Sequence, residues 1–191
     1  RIIVDAIRNS SAGSDGITLS SDGKVAFPNT STGKILQVVQ THYSDRASNT
    51  TASGAEWAPS QLNCSITPSA TSSKVLITAK VGIGFNVNTR RVFMKVFRDS
   101  TQIALADADG SNGSITRASS SVDIRYDDVV EDIFFQYLDS PNTTSSTTYS
   151  FRFTHSQTAD GIIYLNRHSS RLNRVQDAHL SSNVTLQEVA A

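Results

Sequence analysis

Apolar side chains recur at every second position through most of this chain, and that spacing constrains the fold more than any other feature. Val75, Ile77, Ala79 and Val81 alternate with Leu76, Thr78 and Lys80. Val122, Ile124 and Tyr126 alternate with Asp123, Arg125 and Asp127, and Tyr149, Phe151 and Phe153 with Ser150, Arg152 and Thr154. A strand turns successive side chains to opposite faces, so this pattern describes strands with one buried face. Further strands are predicted over 35–41, 62–67, 92–97, 133–138, 162–165 and 184–189. Between them lie turn-formers such as Asp139-Ser140-Pro141-Asn142, in which Asp, Ser and Asn bond local backbone and Pro pre-sets φ. Many short strands with polar connections predict an all-β fold, an antiparallel β-sandwich or jelly roll.

One segment departs from the alternation. In Arg91-Val92-Phe93-Met94-Lys95-Val96-Phe97-Arg98 one face holds Val92, Met94 and Val96, and the other holds Phe93 and Phe97 beside Lys95. A strand apolar on both faces needs cover on its outer side, either from another subunit or from a loop of the same chain. Residues 1–33 differ again. The stretch Asp15-Gly16-Ile17-Thr18-Leu19-Ser20-Ser21-Asp22-Gly23-Lys24-Val25-Ala26-Phe27-Pro28 reads as two short strands with an Asp-Gly turn. A lone hairpin is marginal in water, so it must pack on the main body or on copies of itself. Asn29-Thr30-Ser31-Thr32-Gly33 follows as a linker. The expected organisation is a stem and attachment segment over 1–33 and a sandwich head over 34–191.

The charge balance excludes whole classes of partner. Among 191 residues, 17 Lys and Arg face 17 Asp and Glu, a formal net charge of zero. Such a chain carries no global electrostatic footprint for nucleic acid or an anionic membrane. Roughly a quarter of the residues are Ser or Thr. Cys64 is the only cysteine, on the apolar parity of its run, and reads as a small buried hydrophobe. No run approaches the ~20 apolar residues of a membrane helix. The opening Arg1-Ile2-Ile3-Val4, with no initiating Met or signal segment, reads as the start of a fragment or processed piece.

Enzyme signatures are missing: there is no GxSxG elbow, GxxxxGK[ST] loop, GxGxxG turn or HExxH pair. A Ser-His-Asp set can be imagined around His42, His155, His168 or His179, but abundant serine empties that idea of specificity. The loop beginning at Asp107 places Asn112 and Ala118 where a calcium loop needs Gly and Glu, so no metal or cofactor is expected. Acids at Asp127, Asp128, Glu131 and Asp132 either pair for glycoside hydrolysis or form a solvated strand edge. Trp57, the sole tryptophan, sits in a loop; it either stacks on a sugar face or plugs one end of the sandwich. Arg167, Arg171 and Arg174 are spaced as on one or two turns of helix. With His168 they form a basic cluster, for an anionic glycan or for solvent and subunit salt bridges.

Several segments together resemble tail-fibre and related virion fibre proteins of phages, particularly those of cyanobacterial and marine phages. They are the Asp15–Val25 stretch, Gly33-Lys34-Ile35-Leu36-Gln37-Val38-Val39-Gln40, Ser65-Ile66-Thr67-Pro68-Ser69-Ala70-Thr71-Ser72-Ser73-Lys74-Val75-Leu76-Ile77 and Val96-Phe97-Arg98-Asp99-Ser100-Thr101. Leu138-Asp139-Ser140-Pro141-Asn142, Tyr164-Leu165-Asn166-Arg167 and Thr185-Leu186-Gln187-Glu188-Val189 continue the series. The resemblance implies a homotrimeric β-sandwich head on a thin stem, joined to other virion proteins through the N-terminal segment. It implies attachment to a host surface glycan or protein, without catalysis and without nucleic acid or membrane insertion. It carries over no site residue. Two other expectations stand beside it: a capsid-attached fibre or decoration protein, and a polysaccharide depolymerase using the acids at 127–132.

Overall fold

The computed structural model describes residues 6–7, 17–19, 25–26, 34–108, 110, 116–169 and 178–190. The chain is all-β and antiparallel, and its main body is a sandwich of two sheets. Before it, β1 (Ala6–Ile7), β2 (Ile17–Leu19) and β3 (Val25–Ala26) pair in sequence order. The Thr18↔Ala26 and Leu19↔Val25 register is the hairpin expected between 15 and 28; β1, on its other side, is additional.

The body contains β4 (Ile35–Tyr43), β5 (Ala47–Thr51), β6 (Cys64–Ile66), β7 (Lys74–Phe85), β8 (Arg90–Arg98) and β9 (Thr101–Ile103). It continues with β10 (Ser120–Ile124), β11 (Glu131–Asp139), β12 (Thr147–His155), β13 (Gly161–Leu165) and β14 (Ser182–Val189). One sheet runs β10-β8-β12-β6, with β9 also on β8; the other runs β4-β14-β7-β13-β5, with β11 on the free side of β7. Each strand predicted from alternation is present, most of them longer than the apolar run. Two boundaries differ. Leu62 belongs to a 3-10 turn, Ser60–Leu62, ahead of β6, and Tyr126 lies beyond the end of β10.

The core lies between the sheets. Val92, Met94, Val96, Tyr149, Phe151 and Phe153 face Val75, Ile77, Val81, Ile133, Leu165 and Leu186, all essentially inaccessible to water. Cys64 is buried among them with a free thiol, as its parity predicts. At one corner of the sandwich, Thr41 Oγ1 donates to Asn63 O (2.9 Å) and Gln37 Nε2 to Thr67 O (2.7 Å). At the opposite corner Ser120 Oγ donates to Phe134 O (3.2 Å).

Among the described residues, the second face of β8 is covered within the chain only at Phe97, while Phe93 stays half-buried. Phe97 is buried on the outer side, where the Arg152 guanidinium lies 3.8 Å from its ring centroid. The segment after β9 returns along this side, and Ser119 Oγ accepts from Val96 N and donates to Ile103 O.

β7 is flanked on one side by β14 along its first half and by β13 along its end. Between those two strands the described chain, at 166–168 and at Leu180, lies over the outer sheet face. Gly82 and Gly84 make room for it: a Cβ on Gly84 would collide with the Arg167 carbonyl oxygen. Asn166 closes the junction. Its Nδ2 donates to Tyr43 O (2.9 Å) and Asp45 O (2.8 Å), and its Oδ1 accepts from Ser182 Oγ (2.6 Å).

Candidate functional site

The residues singled out from the sequence do not form one site. Trp57 stands opposite Phe153 as an isolated bridge on β12, their ring centroids 6.4 Å apart, and packs half-buried against the core. Arg167 and His168 belong to the segment after β13, in the other sheet. The Arg167 guanidinium lies 4.2 Å from the Tyr164 ring centroid, and His168 is buried near His179, with 6.4 Å between ring centroids. Arg171 and Arg174, with the helical turn expected around them, lie outside the described residues.

The acids at 127–132 are dispersed into local structure. Asp132 pairs with Lys80 across β11 and β7 (3.2 Å), and the Asp127 carbonyl accepts from Ser169 N and Oγ. His155 spends both ring nitrogens on backbone: Nε2 donates to Thr51 O (2.9 Å) and Nδ1 accepts from Gln157 N (3.2 Å).

A different feature emerges on the outer face of the five-stranded sheet. Two depressions of about 390 and 530 Å³ adjoin there, and a third of about 390 Å³ continues them around the paired ends of β8 and β10, at Arg90 and Ile124. The first two share Gly54, Thr116 and His155, and the second and third share Arg91 and Ser156, so they read as one groove. Register explains the floor. Arg91, Phe93 and Lys95 share one face of β8, with Thr154 opposite Phe93 on β12 and Asp123 opposite Arg91 on β10. Ser53 and Gly54 form one wall and Thr116 and Arg117 the other.

The groove is electrostatically one-sided. Among the described residues Arg90, Arg91, Lys95, Arg117 and Arg125 line it, with the carboxylate of Asp123. Arg91 Nε is held by Asp123 Oδ1 (2.8 Å), Arg90 Nε by Gln157 Oε1 (2.7 Å) and Arg117 Nε by Ala106 O (2.6 Å). Glu56 sits beside it, accepting from Lys95 Nζ (2.7 Å) and Arg152 Nη1 (3.3 Å). Burial pushes the Glu56 carboxyl up, but Lys95 and then Arg152 outweigh it and hold the group below its ordinary value. The sequence carried a signal for this groove in Arg90-Arg91 and in the outward parity of Lys95. Lys95 was read only as a companion of Phe93 and Phe97, and nothing in spacing alone places Arg117 or Arg125 beside it.

The outer face of the six-stranded sheet is a second surface of note. One row across it reads Val38, Gln187, Leu76, Leu138, and the next Gln40, Thr185, Thr78, Gln136. Val38 and Leu138 are exposed at 57% and 46%, and Phe134, two positions along β11 from Gln136, at 67%.

No family model and no curated protein matches this chain. Among solved structures, those of infectious bursal disease virus resemble it distantly. The Gt strain structure has 14% identity and a TM-score of 0.48, covering 98% of this chain and 43% of the other. The Gx strain structure has 12% identity and a TM-score of 0.44, with 97% and 47% covered. The crystal structure of the VP2 subviral particle has 14% identity and a TM-score of 0.42, with 88% and 40% covered. The chain spans less than half of each matched chain, and a likeness of this depth assigns neither family nor role.

Proposed function

We propose that this chain is the β-sandwich head of a virion surface protein. It assembles as a homotrimer and attaches the particle to its host without catalysing a reaction. The observation that carries this reading is the outer face of the six-stranded sheet. There Ile35, Leu36, Val38, Phe134 and Leu138 stand exposed about one row of amides and hydroxyls, Gln40, Thr185, Thr78 and Gln136. Large exposed apolar side chains on a flat sheet are what a subunit contact buries. The segmental resemblance to virion fibres points the same way. The same face serves a capsid-attached fibre or decoration protein equally well.

Two measurements test the reading. Antibody labelling of intact particles is expected to decorate tails or fibres, and the purified chain is expected to compete with particles for adsorption to host cells. Labelling confined to the capsid shell, with no competition, assigns the structural role instead. Absence of label from particles overturns both.

A further inference from the structure

We propose that the groove on the outer face of the five-stranded sheet binds an acidic polysaccharide, a saccharide chain bearing sulfate or carboxylate groups. The proposal names the ligand class for the attachment reading and rests on it for the ligand's place on a cell surface. Charge comes first: among the described residues five cationic side chains line the groove, of which Arg91 is paired with Asp123 and Lys95 with Glu56, in a chain whose formal net charge is zero. Such a cluster acts locally, because its field decays over a screening length of about 10 Å at moderate salt.

Geometry then selects among anions. Arg91 and Lys95 stand four residues apart on β8, about 13 Å at the rise of an extended strand. That length suits a chain of several sugars rather than a single anion. Arg90, Arg91 and Arg117 are each anchored through Nε, Arg90 also through Nη1 to Thr89 O; this fixes the guanidinium planes and leaves the terminal nitrogens of Arg91 and Arg117 for end-on pairing with carboxylate or sulfate. Between the cations lie Ser53, Thr116, Ser156, Gln157 and Thr158, donors and acceptors matched to sugar hydroxyls. A single-stranded nucleic acid would instead need a series of stacking platforms, and Phe93, half-buried in the floor, is the one aromatic carbocycle in the lining.

The test uses the purified chain on immobilised dextran sulfate, polygalacturonate and neutral dextran, at low and high salt. Binding to one or both acidic chains is expected, at least ~tenfold tighter than to dextran and weakened by salt. Whichever acid binds identifies sulfate or carboxylate as the recognised group. Replacing Arg90→Ser with Arg125→Ser is expected to weaken binding about tenfold. Arg46→Ser with Lys74→Ser, which removes the same charge from exposed sites on the other sheet, is expected to leave binding unchanged. Equal binding to dextran, equal loss in both double variants, or tighter binding to a single-stranded oligonucleotide of equal charge overturns the proposal. Groove-dependent binding without competition for host adsorption retains the groove and sinks attachment. Competition that survives the groove variant retains attachment and sinks the groove.

Discussion

Asn166 and Glu188 show how single polar residues hold this fold in place. Asn166 is fully buried at φ 60, a left-handed backbone that Asn tolerates better than most side chains. Its amide serves two carbonyls and the Ser182 hydroxyl. Asn166→Ala is expected to cost about 3 kcal/mol in urea unfolding, because it withdraws buried hydrogen bonds and strains the backbone. Asn166→Asp, although isosteric, is expected to cost no less, since it turns a carboxylate oxygen toward two carbonyls; a space-filling role would tolerate it. Glu188 is buried at 1% exposure and accepts from Ser69 N (2.7 Å), Ser69 Oγ (2.6 Å) and Gln37 Nε2 (2.6 Å). Burial alone would raise its pKa, but hydrogen bonds from Ser69, Gln37 and Ser73 prevail and hold it at about 2, against an ordinary 4.5. Between those values the unfolded chain binds more protons than the folded one. The stabilisation, about 3 kcal/mol, is therefore complete above pH 4.5 and lost as pH falls toward 2. Glu188→Gln is expected to lower stability at neutral pH and to flatten this acid limb, as read from urea midpoints across that range. Neither role was legible in the sequence. Glu188 stands on the inward parity of its strand, where a charged residue contradicts the pattern, and only the folded loop at Ser69 supplies its partners.

At the scale of the element, β7 shows most clearly what alternation reveals and what it hides. Val75, Ile77, Ala79 and Val81 were legible as its buried face because one partner sheet covers that parity throughout. Ile83 and Phe85 extend the strand beyond the predicted run, through Gly82 and Gly84. Those glycines weaken a strand reading by propensity, yet here they admit the chain that crosses the sheet. Gly84→Ala is expected to lower stability by about 3 kcal/mol, because backbone rather than a pliable side chain meets the new methyl. A drop in the thermal midpoint checks it; an unchanged midpoint would show that the crossing segment moves aside freely. β5, Ala47-Ser48-Asn49-Thr50-Thr51, escaped the sequence reading altogether. It is an edge strand whose side chains are mostly solvated, so no hydrophobic period marks it. In β8 the double apolar pattern was legible, whereas the placing of Arg152 over Phe97 was not.

For the whole molecule, the two outer faces divide the work. The five-stranded sheet turns a cationic groove outward and the six-stranded sheet a plane with exposed apolar side chains beside the Lys80–Asp132 pair. If that plane is the trimer contact, Val38→Glu with Leu138→Glu is expected to yield a monomeric mass by light scattering. Its urea midpoint should stay near that of the parent, because both side chains are exposed in the single chain. A monomeric parent, or a variant that stays trimeric, would remove the plane from the assembly. The sequence by itself determined the all-β antiparallel class, most of the strands and the buried parity of β7 and β12. These follow from the two-residue period of a strand, which is a local property. Only the tertiary structure decided that Arg90, Arg91, Lys95, Arg117 and Arg125 share one groove while Trp57 and Arg167 stand apart. Such juxtapositions depend on which strands pair and how loops return across a sheet, and those choices rest on contacts between residues far apart in the chain.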